Sequence, residues 1–153
     1  MYDSRTVAAI GPGLVAYEES RFWDAIHVLV PQVERVIRNI GLALGVGVLS
    51  YRSSSGQLLW VTLKELLEEP RVVSTLDQIA GDFALHLKYV LIDPRGWNIR
   101  NDVAHGLLNP DHSPSAEALV VILILLAISV LRADPVPGTS LPDDTNPATI
   151  AGW

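Results

Sequence analysis

Cysteine is absent from the sequence, so neither a disulfide framework nor a thiolate metal site can be built. A reducing, cytoplasmic setting is the expectation that goes with that absence. Histidine is scarce, with four residues and no HxxxH or HExxH spacing, which argues against a zinc centre. Gly11-Pro12-Gly13 is not followed by Lys-Ser/Thr, so it is no phosphate-cradling loop. The opening Met1-Tyr2-Asp3-Ser4-Arg5 lacks the basic start and apolar run of a secretory leader, and none is expected. Long hydrophobic runs are missing as well. The greasiest stretch, 119–130, has 12 residues where a spanning helix needs about 20. It reads as a buried core helix or an oligomer seam, and no membrane association is expected.

Positive charge is in short supply. Eleven Lys and Arg against 17 Asp and Glu give a net charge of −6, the wrong sign for a general nucleic-acid binder. Three of the acids, Asp134, Asp143 and Asp144, follow the last base, so residues 1–132 hold 14 acids against 11 bases. Nine of those bases are arginine, the better bidentate ligand for phosphate. No extended basic face is legible, and any contact with RNA must be local.

The 153 residues, 49% of them apolar, suit one domain with its own core. The expected division is a helical domain over 1–133 and a disordered, Pro-rich tail over 134–153. Residues 4–19 read as a helix whose continuity Gly11-Pro12-Gly13 puts in question. Residues 20–44 read as a second, capped by Ser20, with Asp24 in its first turn. Its core stripe is Ile26, Val30, Val33, Ile37, Ile40 and Leu44, and Pro31 predicts a kink. Val46 to Arg52 and Gln57 to Leu63 predict a β-hairpin around Ser53-Ser54-Ser55-Gly56.

A short helix is expected over Thr62–Glu69, and a longer one over Thr75–Leu91 with Leu76, Ile79, Phe83, Leu87 and Val90 inward. Asp93-Pro94-Arg95-Gly96 predicts a turn, Asn98–Leu107 a short helix, and Ser115 caps a last helix to about Leu131. The fold class is therefore all-α in the main, a helical bundle with a small β-hairpin insertion. Trp23, Trp60 and Trp97 read as core or seam anchors.

Chemistry concentrates in one string, Asn98-Ile99-Arg100-Asn101-Asp102-Val103-Ala104-His105-Gly106. On a helix Asn101 and His105 share a face within about 40°, whereas Arg100 and His105 stand about 140° apart. An arginine can grip phosphate through two N–H groups, and a histidine can exchange a proton near neutrality. The same residues also fit a plain helix end, with His105 against the C-terminal dipole and Gly106 as terminator. Upstream, Glu34 and Arg38 are four apart, either an intrahelical pair or a support for Arg100.

The string is similar to that of the HEPN superfamily (higher eukaryotes and prokaryotes nucleotide-binding), in which an Arg is followed at four to six residues by His, often with Asn directly after the Arg. It most resembles a bacterial family of unknown function with an Asn-Ile-Arg-Asn-x-x-Ala-His-Gly string. That family also carries an upstream Pro-Gln-x-Glu-x-x-x-Arg helix, found here as Pro31-Gln32-Val33-Glu34-Arg35-Val36-Ile37-Arg38. The resemblance spans about residues 14–132. It implies a bundle that pairs head to head as a homodimer and a metal-independent endoribonuclease without cofactor. His105 would be the acid/base, Arg100 the phosphate clamp and Asn101 the group orienting either. Glu34 and Arg38 would support them. Implied partners are RNA or a nucleotide, and an antitoxin or larger defence protein in a toxin or phage-defence system. The alternative is a catalytically silent dimerisation or nucleotide/RNA-binding module.

Overall fold

A computed structural model describes residues 4–52, 56–109, 111 and 113–131. The expected tail over 134–153 lies outside the described residues, as do Ser53–Ser55 of the predicted turn. Seven helices and one hairpin follow in order: α1 Ser4–Glu18, α2 Phe22–Ala43, β1 Leu49–Arg52, β2 Gln57–Trp60, α3 Leu63–Leu66, α4 Pro70–Leu76, α5 Phe83–Leu91, α6 Ile99–His105 and α7 Ser115–Ser129. The expected fold class, mainly helical with a small antiparallel hairpin, is the observed one.

Helix α2 is the hub, packing against α1, α3, α4, α6 and α7. Its predicted stripe is buried from Ile26 to Ile40 and joined by Ala25, Leu29 and Val36, while Leu44 at its end is half-buried. Both prolines are accommodated: α1 runs through Pro12 and α2 through Pro31 without a break. Each ring is exposed, so the turn that loses its N–H lies on the watered side, where solvent can satisfy the freed carbonyl.

Three local expectations are corrected. Ser20 does not cap α2: it takes a left-handed φ of 61°, and Arg21 stands at the N-cap without a side-chain bond. Ser115 is the first residue of α7, behind an N-cap of Pro114. The helix expected over Thr75–Leu91 is two. The first stops at Leu76 and the second starts at Phe83, where the Asp77 carboxylate takes an otherwise unpaired first-turn N–H, that of Ala84, at 2.9 Å. Of the five predicted inward residues, Leu76 and Leu87 are buried, whereas Ile79, Phe83 and Val90 are half-buried.

The hairpin pairs Leu49 with Trp60 and Arg52 with Gln57. It runs into α3 through a capping box, in which Thr62 Oγ1 accepts from the Glu65 N–H and Glu65 accepts from the Thr62 N–H. Helix α7 buries Ala118, Val121, Ile124, Leu125 and Ile128. With 15 residues it is too short to cross a bilayer, and no helix of the described residues is long and apolar enough to do so.

Candidate functional site

Helix α6 is aimed by the turn before it. Asp93 accepts from the backbone N–H of Arg95 at 2.9 Å and from its guanidinium at 3.0 and 2.7 Å. These bonds from the Arg95 side chain, and then from its backbone N–H, hold the Asp93 carboxyl down at about 2. Gly96 closes the turn through its N–H to the Asp93 carbonyl, 2.9 Å. A side chain there would run into the carbonyl of Tyr89, the group that also receives the Trp97 N–H at 3.1 Å. Asn98 then adopts the left-handed region, φ 53°, a conformation asparagine tolerates better than most residues. Its amide joins Asn101 to Asp102, accepting from Asn101 Nδ2 at 2.8 Å and donating to Asp102 Oδ1 at 3.1 Å.

Arg100 and Asn101 are thereby fixed at the start of α6. Asn101 also reaches the Ile92 carbonyl at 3.4 Å, and its own Oδ1 accepts from Arg100 Nη1 at 3.3 Å. Arg100 Nε donates to Glu34 Oε2 on α2 at 3.1 Å. The other oxygen of Glu34 accepts from Arg38 Nη2 at 2.9 Å, while Arg38 Nη1 donates to the Val61 carbonyl at 2.8 Å. One carboxylate thus holds two guanidinium groups, and the cluster keeps one net positive charge. Glu34, Arg38, Arg100 and Asn101, proposed separately from two motifs, form one connected network.

The two arginines differ in what remains free. Arg38 is only 16% exposed, bonded through both terminal nitrogens, with its guanidinium carbon 5.1 Å from the centre of the Trp60 ring. It ties the hairpin to α2. Arg100 is 35% exposed, and its Nη2 has no bond within the described residues.

His105 is not part of the network. It ends α6 exposed, with no hydrogen bond to its ring among the described residues. Behind it Gly106 is left-handed at φ 64°, and the Leu107 N–H returns to the Asp102 carbonyl at 2.9 Å, the Schellman closure that favours glycine. Arg100 therefore lies on the flank of α6 facing α2, and His105 about 140° around the helix. No contact joins them within one chain.

His27 on α2 sits at the same end as Gly106, and with Trp23 and Leu108 they line a cleft of about 260 Å³. The Trp23 carbonyl, which can only accept, fixes the proton on His27 Nδ1 at 2.8 Å. Among the described residues no three His, Asp or Glu converge to hold a metal.

Of the two places expected for Trp60 and Trp97, core or seam, the structure excludes the core. Trp60 is 61% exposed and Trp97 45%, so neither is a core anchor. The period of strand β2 carries the signal: Leu58 and Trp60 alternate with Leu59, and only Leu59 turns inward. No protein-family profile matches the chain, and no curated protein or solved structure shows significant similarity to it.

Proposed function

We propose that this chain is an endoribonuclease of the HEPN type that cleaves RNA without metal, by attack of a ribose 2′-hydroxyl on the adjacent phosphate. The supporting observation is Arg100, gripped by Glu34 through Nε and by Asn101 through Nη1, with Nη2 left unbonded among the described residues. A guanidinium so held is a preorganised phosphate ligand, since little side-chain freedom remains to be lost on binding. His105 is exposed, as a group that must touch substrate requires. In the reaction an imidazole takes the 2′-hydroxyl proton, the 2′-oxygen bonds to phosphorus, and the 5′-oxygen leaves with a proton.

Because Arg100 and His105 stand on different flanks of α6, the reading carries a second copy of the chain. Arg100 of one copy and His105 of another would face a single phosphate. A role in a toxin or phage-defence system, with an antitoxin or larger defence protein as partner, belongs to the same proposal. Cleavage of single-stranded RNA in the presence of a chelator tests it. Wild type should yield 2′,3′-cyclic phosphate ends, and His105→Ala and Arg100→Ala should each abolish them. Intact RNA after incubation with wild type removes the nuclease reading.

The second reading is a catalytically silent dimerisation or nucleotide/RNA-binding module. One observation favours it. The outer side of α7 exposes Leu119, Leu123, Leu126 and Val130, a surface made for protein contact rather than phosphate. On that reading the Arg100 and His105 variants behave as wild type.

A further inference from the structure

An exposed indole beside a half-free guanidinium is the combination that grips a base and its phosphate together. We propose that Trp60 and Arg100 form a two-point site for single-stranded RNA, the base stacking on Trp60 and a neighbouring phosphate bonding to Arg100 Nη2. This rests on the reading above in that Arg100 meets an RNA phosphate.

Three contacts connect the two points. The Trp60 ring lies over Arg38, Arg38 bonds to Glu34, and Glu34 bonds to Arg100, none of the contacts longer than 5.1 Å. The ring and Arg100 are thus joined through two intervening side chains, Arg38 and Glu34. Arg38 is spent on internal bonds and serves as a backing plate. Its guanidinium packs on the indole and fixes the ring, which stays 61% exposed. A second exposed apolar side chain, Leu58, continues the platform on the same strand face.

The ligand class follows from the charge. With one net positive charge in the cluster and −6 on the chain, a duplex, whose bases are already stacked and whose phosphates need many cations, has little to gain. A single strand offers open base faces, and stacking is indifferent to the acidity of the protein. Binding should therefore depend weakly on salt, with log K falling along log salt with a slope of about −0.7, the value for one phosphate contact on a single strand.

The test uses the full chain and a fluorescent single-stranded 2′-O-methyl oligonucleotide, which cannot be cut, with anisotropy as the readout. Trp60→Leu should weaken binding tenfold or more, Trp60→Phe should restore most of it, and Arg100→Gln should flatten the salt dependence. A duplex of the same sequence should compete poorly. Circular dichroism of each variant separates loss of binding from loss of fold. Equal affinity of wild type and folded Trp60→Leu overturns the site, even if wild type cleaves unmodified RNA and the nuclease reading stands. Trp60-dependent binding by a wild type that cuts nothing sustains the site and removes the nuclease. A wild type that neither binds nor cuts overturns both.

Discussion

Glu34 and Arg100, 66 residues apart in the chain, meet through a single bond of 3.1 Å that locks α6 to α2. The carboxylate is 22% exposed and shared with Arg38, so removing its charge leaves two guanidinium groups facing each other without a counter-ion. Glu34→Gln should cost about 1–2 kcal/mol, below a fully buried pair because Arg100 is screened by solvent. Denaturant unfolding of Glu34→Gln, Arg100→Gln and the double variant gives the coupling. Additive losses would mean the two side chains do not depend on each other.

A composite site makes a prediction about mixtures. His105→Ala and Arg100→Ala are each expected to be inactive, but each retains the group the other lacks. If one phosphate is served by Arg100 of one copy and His105 of the next, co-refolding the two variants restores one intact site in each mixed pair. A recovery of about a quarter of the wild-type rate is then expected, since half the pairs are mixed and each has one of two sites. No recovery in a mixture shown to contain mixed pairs assigns both groups to one chain.

Acid should reach α6 through Asp93. Its carboxyl, held at about 2 by the Arg95 guanidinium and backbone N–H, lies below the ordinary value of 3.8. A folded-state value below the unfolded one means the contribution is complete above pH of about 4 and is lost as pH falls toward 2. Carboxyl titration by NMR should place Asp93 low in wild type and higher in Arg95→Ala, still below 3.8 because alanine keeps the backbone N–H. An unshifted Asp93 in wild type would disprove the clamp.

Two backbone positions in the same turn have opposite tolerances. Asn98→Gly keeps the left-handed conformation but loses the amide's bonds to Asn101 and Asp102, and should cost about 1 kcal/mol, whereas Asn98→Val loses the same bonds and strains the backbone, and should cost about 3 kcal/mol. Gly96→Ala forces a methyl against the Tyr89 carbonyl, which is backbone and cannot swing aside, and should cost about 2 kcal/mol or more. Thermal unfolding ranks the three. A Gly96→Ala protein as stable as wild type would mean that the turn has slack.

The parts of this molecule that were legible in its sequence are those set by period. The α2 stripe from Ile26 to Ile40 repeats at helical spacing over four turns, and every member is buried. Gly106 as terminator of α6 was also readable, because only glycine takes that φ freely. What escaped were events decided by one long-range bond. Asp77 caps the start of α5 by accepting from Ala84, and a spacing pattern carries no trace of that bond. The capping power of Ser20 and Ser115 was read from residue type alone, while the chain path set their dihedrals. Of the connected network, the string supplied Arg100 and Asn101, while His105 lies outside it. That Asn98 aligns Asn101, and that Arg38 backs Trp60, needed the fold.

Helix α7 should make the chain self-associate. Its outer ridge of Leu119, Leu123, Leu126 and Val130 is 43–70% exposed at steps of four, three and four, the repeat of a helix seam. Apolar grooves flank the ridge on both sides. One of about 270 Å³ is lined by Phe83, Val90, Val120 and Leu123, and one of about 230 Å³ by Ile10, Leu14, Ile122 and Leu126. A face offering both knob and hole is complementary to itself, which two-fold pairing requires. Val7, Leu14 and Val15 of α1 are also exposed and add apolar surface toward the ~800 Å² per partner of a standard interface. An anionic membrane is the poorer occupant, since α7 carries no Lys or Arg to meet it. Sedimentation should give a dimer for wild type at micromolar concentration and monomers for Leu126→Glu and Leu126→Lys separately. Mixing the two should recover dimers, because each charge then meets its opposite across the axis. A wild type that is monomeric and stays in solution at high concentration would show that this ridge serves another partner, and the shared-phosphate site would need a different pairing surface.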